Sequence, residues 1–428
     1  MLNEAALLSQ LWARRPGTSL PRDFYCSPKA HEADLRTIWT KEWIFAASAA
    51  EMPKAGSYVT LQIGAYPIVV VRGSDGAIRA FHNSCRHRGS RICSAAKGSA
   101  PRLVCPYHQW TYDLDGKLMW ARDMGPEFDP SQHGLKPVHA GVAAGMVFIC
   151  LADTAPDFAP LKAAADRYGA PHRLDELKVA HQSTIIERAN WKLVLENNRE
   201  CYHCAGSHPS LCRTFDDDPD LVGADDAQTS PRGAAHLARC EAAGLPSRYI
   251  IAPNEQWRLV RIPLAGDAIS YTMDGKAAVA GGLPGMPLAD AGTLLFFHYP
   301  NTWNHFLSDH VLHFRVLPID ANATEVTTTW LVHKDAQEGR DYDLKRLTEV
   351  WNDTNDEDRR VVEENQIGIA SPAYEPGPYS AKQESGVLQF VDWYARTFEA
   401  AVRGPTALAH AAGANRAQRP APAQVGLA

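Results

Sequence analysis

The sequence predicts an α+β protein in two folded blocks. A small all-β block spans about 46–155, and a mixed block with an antiparallel sheet under helices spans about 156–403. Three observations carry this expectation. A chain of 428 residues is too long for one ordinary core. The texture turns from helical to β-rich near residue 46. From about residue 156 helical and strand-like runs alternate, which suits an antiparallel sheet covered by helices.

Residues 1–45 read as mostly helical, an N-terminal segment expected to pack on the second block. His31 to Trp39 is the clearest helical stretch, and Pro28 before it suits a helix start. Tyr58–Ile63 and Ile68–Arg72 are rich in β-branched residues, and Gly73-Ser74-Asp75-Gly76 reads as a hairpin turn. Thr111 to Leu118 is a second hairpin signal. Ala189 to Tyr202 reads as a helix. Strand-like runs follow at Leu294–Tyr299, Val311–Leu317 and Glu325–Val332, and a second helix runs from about Tyr342 through Gln366. The tail, 404–428, is rich in Ala, Pro, Gly and Gln and is expected to be disordered.

Bulk composition excludes several classes. Hydrophobic content of 45% and charged content of 21% fit a soluble globular protein. A net charge of −6 argues against nucleic acid as the main partner. No run of eighteen apolar residues occurs, so no membrane span is expected. Met1 to Ala5 lacks the basic and apolar regions of a signal peptide. The nine scattered cysteines fit metal-bound or free thiols in a reducing cytoplasm better than a disulfide framework.

The chemistry begins at Cys85-Arg86-His87, followed after seventeen residues by Cys105-Pro106-Tyr107-His108. Two Cys and two His fit structural zinc or a [2Fe–2S] cluster with both His on one iron. Spacing alone does not separate them. Each loop carries one Cys and one His, an arrangement that a two-iron cluster uses and zinc does not need. Pro106 stiffens the second loop, and Trp110 is placed to shield a cluster from water. Cys93 reads as a buried or free thiol.

Cys85-Arg86-His87-Arg88-Gly89 with Cys105-Pro106-Tyr107-His108-Gln109-Trp110 resembles the Rieske motif of the Rieske non-haem iron oxygenases. The resemblance implies a [2Fe–2S] cluster on Cys85, His87, Cys105 and His108. It also implies a C-terminal catalytic domain of helix-grip type.

His203 and His208 are five residues apart, about 140° around an undisturbed helix. Gly206 and Pro209 are breakers that let both face one metal, and Glu200 shares the face of His203. Read alone, these are metal ligands or ordinary surface or core histidines. The segment is similar to the family's acidic-x-x-His-x4-His motif for mononuclear Fe(II). Asn355 to Glu363 resembles the late helix that supplies a third ligand, which implies Asp358; Asp356 is the neighbour most easily mistaken for it. Two His and one Asp make a facial triad with open positions for oxygen and substrate. By the same resemblance Glu200 bridges to a Rieske His of a neighbouring subunit, here His108, so the working unit is a ring, usually a homotrimer. Most members carry Asp at this place.

Asn197–His208, Trp330–Ala336, Tyr374–Ser380 and Glu384 to Tyr394 resemble the quaternary-ammonium branch of the family. This implies hydroxylation of an N-methyl group on a small betaine (glycine, proline or hydroxyproline betaine), with formaldehyde release. Choline or carnitine oxidation and plain Rieske electron transfer are the alternatives. Such a head group is recognised by shape and cation–π contact; Trp257, Tyr271, Phe297, Tyr299, Trp303 and Tyr202 are the aromatic candidates. No G-x-G-x-x-G loop is visible, so electrons are expected from a separate flavin and ferredoxin-type reductase using NAD(P)H.

Overall fold

Two seven-stranded sheets organise the molecule, seen in a computed structural model that describes residues 3–404. The expected disordered tail, from residue 405 onward, lies outside the described residues. The N-terminal segment forms α1 (Glu4–Ala13), α2 (Arg22–Cys26) and α3 (Pro28–Asp34), the last continued as a π-turn over Leu35–Trp39. The Ser27 hydroxyl caps α3 and Pro28 opens it, as its fixed φ favours.

The first sheet has the order β1-β10-β9-β4-β3-β2-β5. Its members are β1 (Ile44–Ser48), β2 (Ser57–Ile63), β3 (Tyr66–Arg72), β4 (Ile78–His82) and β5 (Lys97–Ser99). A small separate sheet, β6 (Leu103–Val104), β7 (Thr111–Tyr112) and β8 (Leu118–Trp120), comes next in the chain. Then β9 (Pro137–Ala143) and β10 (Met146–Cys150) return to the first sheet. Alternate residues of β2 point inward, so Val59, Leu61 and Ile63 join the main core. Both Cys/His loops leave this region from strand ends, one after β4 and one between β6 and β7.

The second sheet, all antiparallel, has the order β11-β17-β16-β15-β14-β13-β12. After α4 (Ala159–Gly169) come β11 (Leu177–Glu187), α5 (Trp191–Asn198), the short α6 (Cys204–Ser207) and α7 (Pro231–Ala242). The strands β12 (Ile250–Ile251), β13 (Trp257–Ile262), β14 (Thr293–His298), β15 (Thr302–Phe306), β16 (Val311–Asp320) and β17 (Ala323–His333) complete the sheet. Helices α8 (Leu344–Ala370) and α9 (Ser385–Arg403) close the fold.

Four strands of this sheet, β11, β12, β13 and β15, were not expected. β11 and β15 are too polar to announce themselves; Thr302, Asn304 and His305 are all buried in β15. In β13 two arginines interrupt the apolar run. Among the described residues no helix is long and apolar enough to cross a membrane.

The helix expected over Ala189 to Tyr202 stops at Asn198, with Arg199 as its C-cap. Asn197 and Asn198 are poor helix formers. Beyond them, the Glu200 carboxylate accepts hydrogen bonds from the backbone N–H groups of Tyr202 and His203 and folds the chain into a new turn.

Candidate metal centres

The two Cys/His loops are built to one pattern. The Cys85 N–H donates to Ser90 O and Gly89 N–H to Cys85 O, at 2.8 and 2.9 Å. The Cys105 N–H donates to Trp110 O and Gln109 N–H to Cys105 O, at 2.9 and 3.0 Å. Each loop needs a left-handed residue at the same place: Gly89 has φ +80° and Gln109 has φ +62°. Glycine adopts this freely, whereas glutamine does so at some cost.

This shared turn sorts the four side chains by depth. Cys85 and Cys105 are buried, at 4% and 1% exposure, while His87 is exposed and His108 half-buried. The imidazoles lie edge to face, 4.7 Å between centroids, and Trp110 stacks on His87 at 4.9 Å. Tyr112 Oη sits 3.3 Å from Cys85 Sγ. Inner sulfurs and outer nitrogens fit a two-iron cluster whose outer iron takes both imidazoles. Cys93 is a buried free thiol with its pKa pushed up to about 11 by burial, so it offers no thiolate.

The second group lies where α6 faces α8. His203 is the N-cap of α6 and His208 its C-cap, so the single turn between them turns both imidazoles toward one point. The interruption therefore precedes His203, rather than falling only at Gly206 and Pro209. His203 Nε2 and His208 Nε2 are 2.9 Å apart, and Asp358 Oδ1 lies 3.2 and 3.0 Å from them. Behind the rings, Glu200 Oε1 meets His203 Nδ1 at 2.6 Å and Glu357 Oε2 meets His208 Nδ1 at 2.9 Å. Each Nδ1 thus carries a proton toward a carboxylate, and each Nε2 presents a lone pair.

Two lone pairs and a carboxylate oxygen repel one another unless a cation or protons stand between them. Ligands at right angles about 2.1 Å from one ion stand about 3.0 Å apart. The three separations match that spacing, so this donor set fits a facially bound divalent metal. Burial works against a charged His203, but Asp358 and Glu200 outweigh it and hold its pKa up to about 9, so a proton takes the Nε2 lone pair whenever no cation does. Burial likewise opposes charge on Asp358, yet the two imidazoles keep its pKa below the usual carboxylate value.

Asp356 faces away and pairs with Arg359 at 2.9 Å. Glu357, which nothing in the sequence singles out, is the partner of His208 Nδ1. Cys204 also lies near both rings, but its sulfur is bonded to Cys201. That disulfide departs from the expectation of free or metal-bound thiols: a C-x-x-C spacing folded into a tight turn brings the two sulfurs together.

The group opens on a cavity of about 590 Å³. Of the aromatic candidates, only Phe297 borders it. Tyr202 is 64% exposed, and Trp303 stacks on Phe314 at 5.0 Å. Trp257 packs against a different core cluster. Tyr271 is buried against His305, and Tyr299 accepts a hydrogen bond from Arg199 Nε at 2.6 Å. Phe215, Tyr249 and Trp351 line the wall instead. Trp351 comes from the buried stripe of α8, while loop folding brings Phe215 and Tyr249, with no period in the sequence to mark them.

Comparison with known proteins agrees with this layout. Residues 42–139 match the Rieske [2Fe–2S] domain, and residues 174–400 match the ring hydroxylating alpha subunit (catalytic domain). The chain is 48% identical over 400 residues to the glycine betaine monooxygenase oxygenase subunit of Chromohalobacter salexigens, covering 92% of this chain and 88% of that one. It is 47% identical over 393 residues to the protein of the same name in Pseudomonas aeruginosa, covering 91% of each. A solved quaternary ammonium Rieske monooxygenase superposes with a TM-score of 0.69 at 25% identity, over 89% of this chain and 95% of that one. Naphthalene 1,2-dioxygenase from Rhodococcus sp. shares the fold, with a TM-score of 0.67 at 18% identity over 92% of this chain and 98% of that one. The chain belongs to the Rieske non-haem iron oxygenases, as an alpha subunit with a Rieske [2Fe–2S] domain and a catalytic domain for mononuclear iron.

Proposed function

We propose that this protein is the oxygenase component of a monooxygenase that hydroxylates an N-methyl group of a small betaine, glycine betaine first among them. The observation that carries the reading is the convergence of His203, His208 and Asp358 within 2.9–3.2 Å on the cavity wall. The relatives at 47–48% identity, named for glycine betaine, support the substrate class. Carnitine monooxygenase relatives match only about half of the chain, as in Escherichia coli at 37% identity over 198 residues.

In this reading Cys85, His87, Cys105 and His108 hold the [2Fe–2S] cluster, and His203, His208 and Asp358 hold Fe(II). The bound irons supply electron delivery and oxygen activation. The chain's own residues prepare the site. Glu200 and Glu357 keep protons on the Nδ1 atoms and leave the Nε2 atoms free to bind. Substrate, O2, two electrons and two protons give an N-hydroxymethyl ammonium and water. That product collapses to the tertiary amine, formaldehyde and a proton.

Electrons reach the cluster from a flavin and ferredoxin-type reductase that uses NAD(P)H. They leave by His108 toward Glu200 of a neighbouring copy in a ring, a trimer by family habit. The quaternary ammonium relative, studied for inter-subunit electron transfer, supports that route.

The test is the purified protein with a reductase, iron and sulfide analysis, and a panel of glycine, proline and hydroxyproline betaines, choline and carnitine. Formaldehyde released in step with O2 uptake on glycine betaine is the expected result. Equal rates across the panel would undo the betaine assignment, and no O2 uptake on any of them would undo the enzyme reading.

A further inference from the structure

Two arginines share one wall of the iron-site cavity and have no carboxylate. Arg199 follows α5, four residues before His203, and is 3% exposed. Its Nε donates to Tyr299 Oη at 2.6 Å and its Nη2 to Gln389 Oε1 at 3.0 Å. Its Nη1 is buried without a partner. Arg258 lies in β13 directly opposite Phe297 in β14. Both guanidinium groups rest on the Phe297 ring, Arg199 at 4.2 Å and Arg258 at 4.7 Å from its centroid. Arg258 Nε is also buried and unpartnered. Among the described residues no carboxylate comes within 4.0 Å of either group.

Two like charges brought together in a buried wall, with N–H groups unmet, are costly unless an anion joins them. Burial and the charge of Arg258 together lower the pKa of Arg199 to about 10. Strand register explains why Arg258 and Phe297 face the cavity: Arg258, Val260 and Ile262 alternate along β13, Leu295 and Phe297 along β14, and all five line it. The same cavity carries acidic groups, Asp358 and Glu200 beside the histidines and Asp216, Asp217, Asp218 and Asp220 in a loop. Such a bipolar lining suits a zwitterion.

We propose that Arg199 and Arg258, joined through Phe297, form the carboxylate-binding subsite that selects betaines over uncharged-tail ammonium compounds such as choline. This rests on the betaine reading above and deepens it. With Nε and Nη2 of Arg199 held by Tyr299 and Gln389, its Nη1 and the Arg258 guanidinium are the N–H groups left to meet a carboxylate, and two such contacts also fix which methyl group is presented. Phe297 then acts as the platform for the two arginines and not as a wall of the ammonium cage.

The experiment compares wild type, Arg258→Met and Arg258→Lys, each reconstituted with the reductase, on glycine betaine and on choline. Among the described residues the Arg258 side chain makes no hydrogen bond, so its replacement should leave folding intact; an unchanged [2Fe–2S] visible spectrum checks this. Arg258→Met is expected to raise KM for glycine betaine on the order of 10- to 100-fold. The preference for glycine betaine over choline, as a ratio of kcat/KM, should fall by the same factor. Arg258→Lys should recover part of it. Wild type that acts on glycine betaine while Arg258→Met keeps its KM overturns this inference alone. Wild type that acts on choline and not glycine betaine overturns the subsite and the betaine reading together.

Discussion

The acidic residues of α8 look alike in the sequence and differ completely in place. Asp353 accepts a hydrogen bond from Ser210 Oγ at 2.9 Å, Asp356 pairs with Arg359, Glu357 backs His208 and Asp358 faces both imidazoles. Helix phase separates them. Leu347, Trp351, Thr354, Asn355 and Val362 form the buried stripe of α8, and Asp358 stands on it where an apolar residue would ordinarily be. Asp358 was legible through the resemblance of Asn355 to Glu363 to the family's late helix. The role of Glu357 was not, because it depends on where the α6 loop brings His208. Replacing Glu357 with Ala should weaken mononuclear iron binding on the order of 10- to 100-fold, measured as iron retained after chelator dialysis, while Asp356→Ala retains it like wild type. Asp358→Ala should lose this iron altogether and keep the visible spectrum of the cluster. A second buried carboxyl offers a pH readout. Glu196 accepts hydrogen bonds from Tyr25 Oη at 2.8 Å and Tyr379 Oη at 2.7 Å, and burial pushes its pKa from 4.5 up to about 7. The folded state therefore holds this proton more tightly than the unfolded chain. Its stabilising share is full below pH 4.5 and is lost as pH rises through about 7, a swing of about 3 kcal/mol. Thermal melts from pH 5 to 8 should show Glu196→Gln losing less stability over this range than wild type; parallel curves would sink the idea.

The position of the His203 loop depends on how α5 is anchored. Asp34, at the end of α3, forms a fully buried ion pair with Lys192 of α5. It also accepts hydrogen bonds from Trp191 Nε1 at 3.0 Å and Tyr394 Oη at 2.6 Å. The Lys192 ammonium rests over the Trp191 and Tyr394 rings, 5.0 and 5.2 Å away. One carboxylate thus ties the N-terminal segment and α9 to the helix that leads into the iron site. Burying such a pair is expensive, and removing one partner leaves an uncompensated charge. Asp34→Ala should cost about 3–5 kcal/mol of stability, visible as a lowered denaturation midpoint, and Asp34→Leu with Lys192→Met should recover much of it. No reading of the sequence exposes this link, since Asp34 and Lys192 are distant in the chain and each looks like a surface residue. The elements that were legible, β2, β3, β14, β16, β17 and α8, share strong apolar periodicity. Among those that were missed, β11 and β15 have polar residues whose partners are supplied by neighbouring strands and helices; the Gln182 side chain, for example, donates to Thr329 Oγ1 and to Glu51.

Among the described residues no hydrogen bond, ion pair or ring contact joins the two proposed iron centres of one chain. His108 stacks on Tyr107 with ring centroids 3.9 Å apart, at the exposed end of the Rieske loops. Glu200 spends its carboxylate on His203 and on the backbone of the α6 turn. The separate roles of these residues therefore imply different behaviour for a mixed oligomer than for two independent enzymes. Subunits with Cys85→Ser should lack the cluster and keep the catalytic iron. Subunits with His203→Ala should keep the cluster and lose that iron. Each variant alone should be inactive. If electrons pass from His108 of one copy to the site of the next, a catalytic position works only where an intact iron site follows a neighbour with an intact cluster. Random assembly of equal amounts in a closed ring satisfies this at about a quarter of positions. Co-expressed and co-purified mixtures should thus recover about a quarter of wild-type activity per chain. Transfer confined to a single chain predicts none, because no subunit in the mixture carries both centres. The same preparation also reports on assembly, since mixing after purification should restore activity only as fast as the rings exchange subunits.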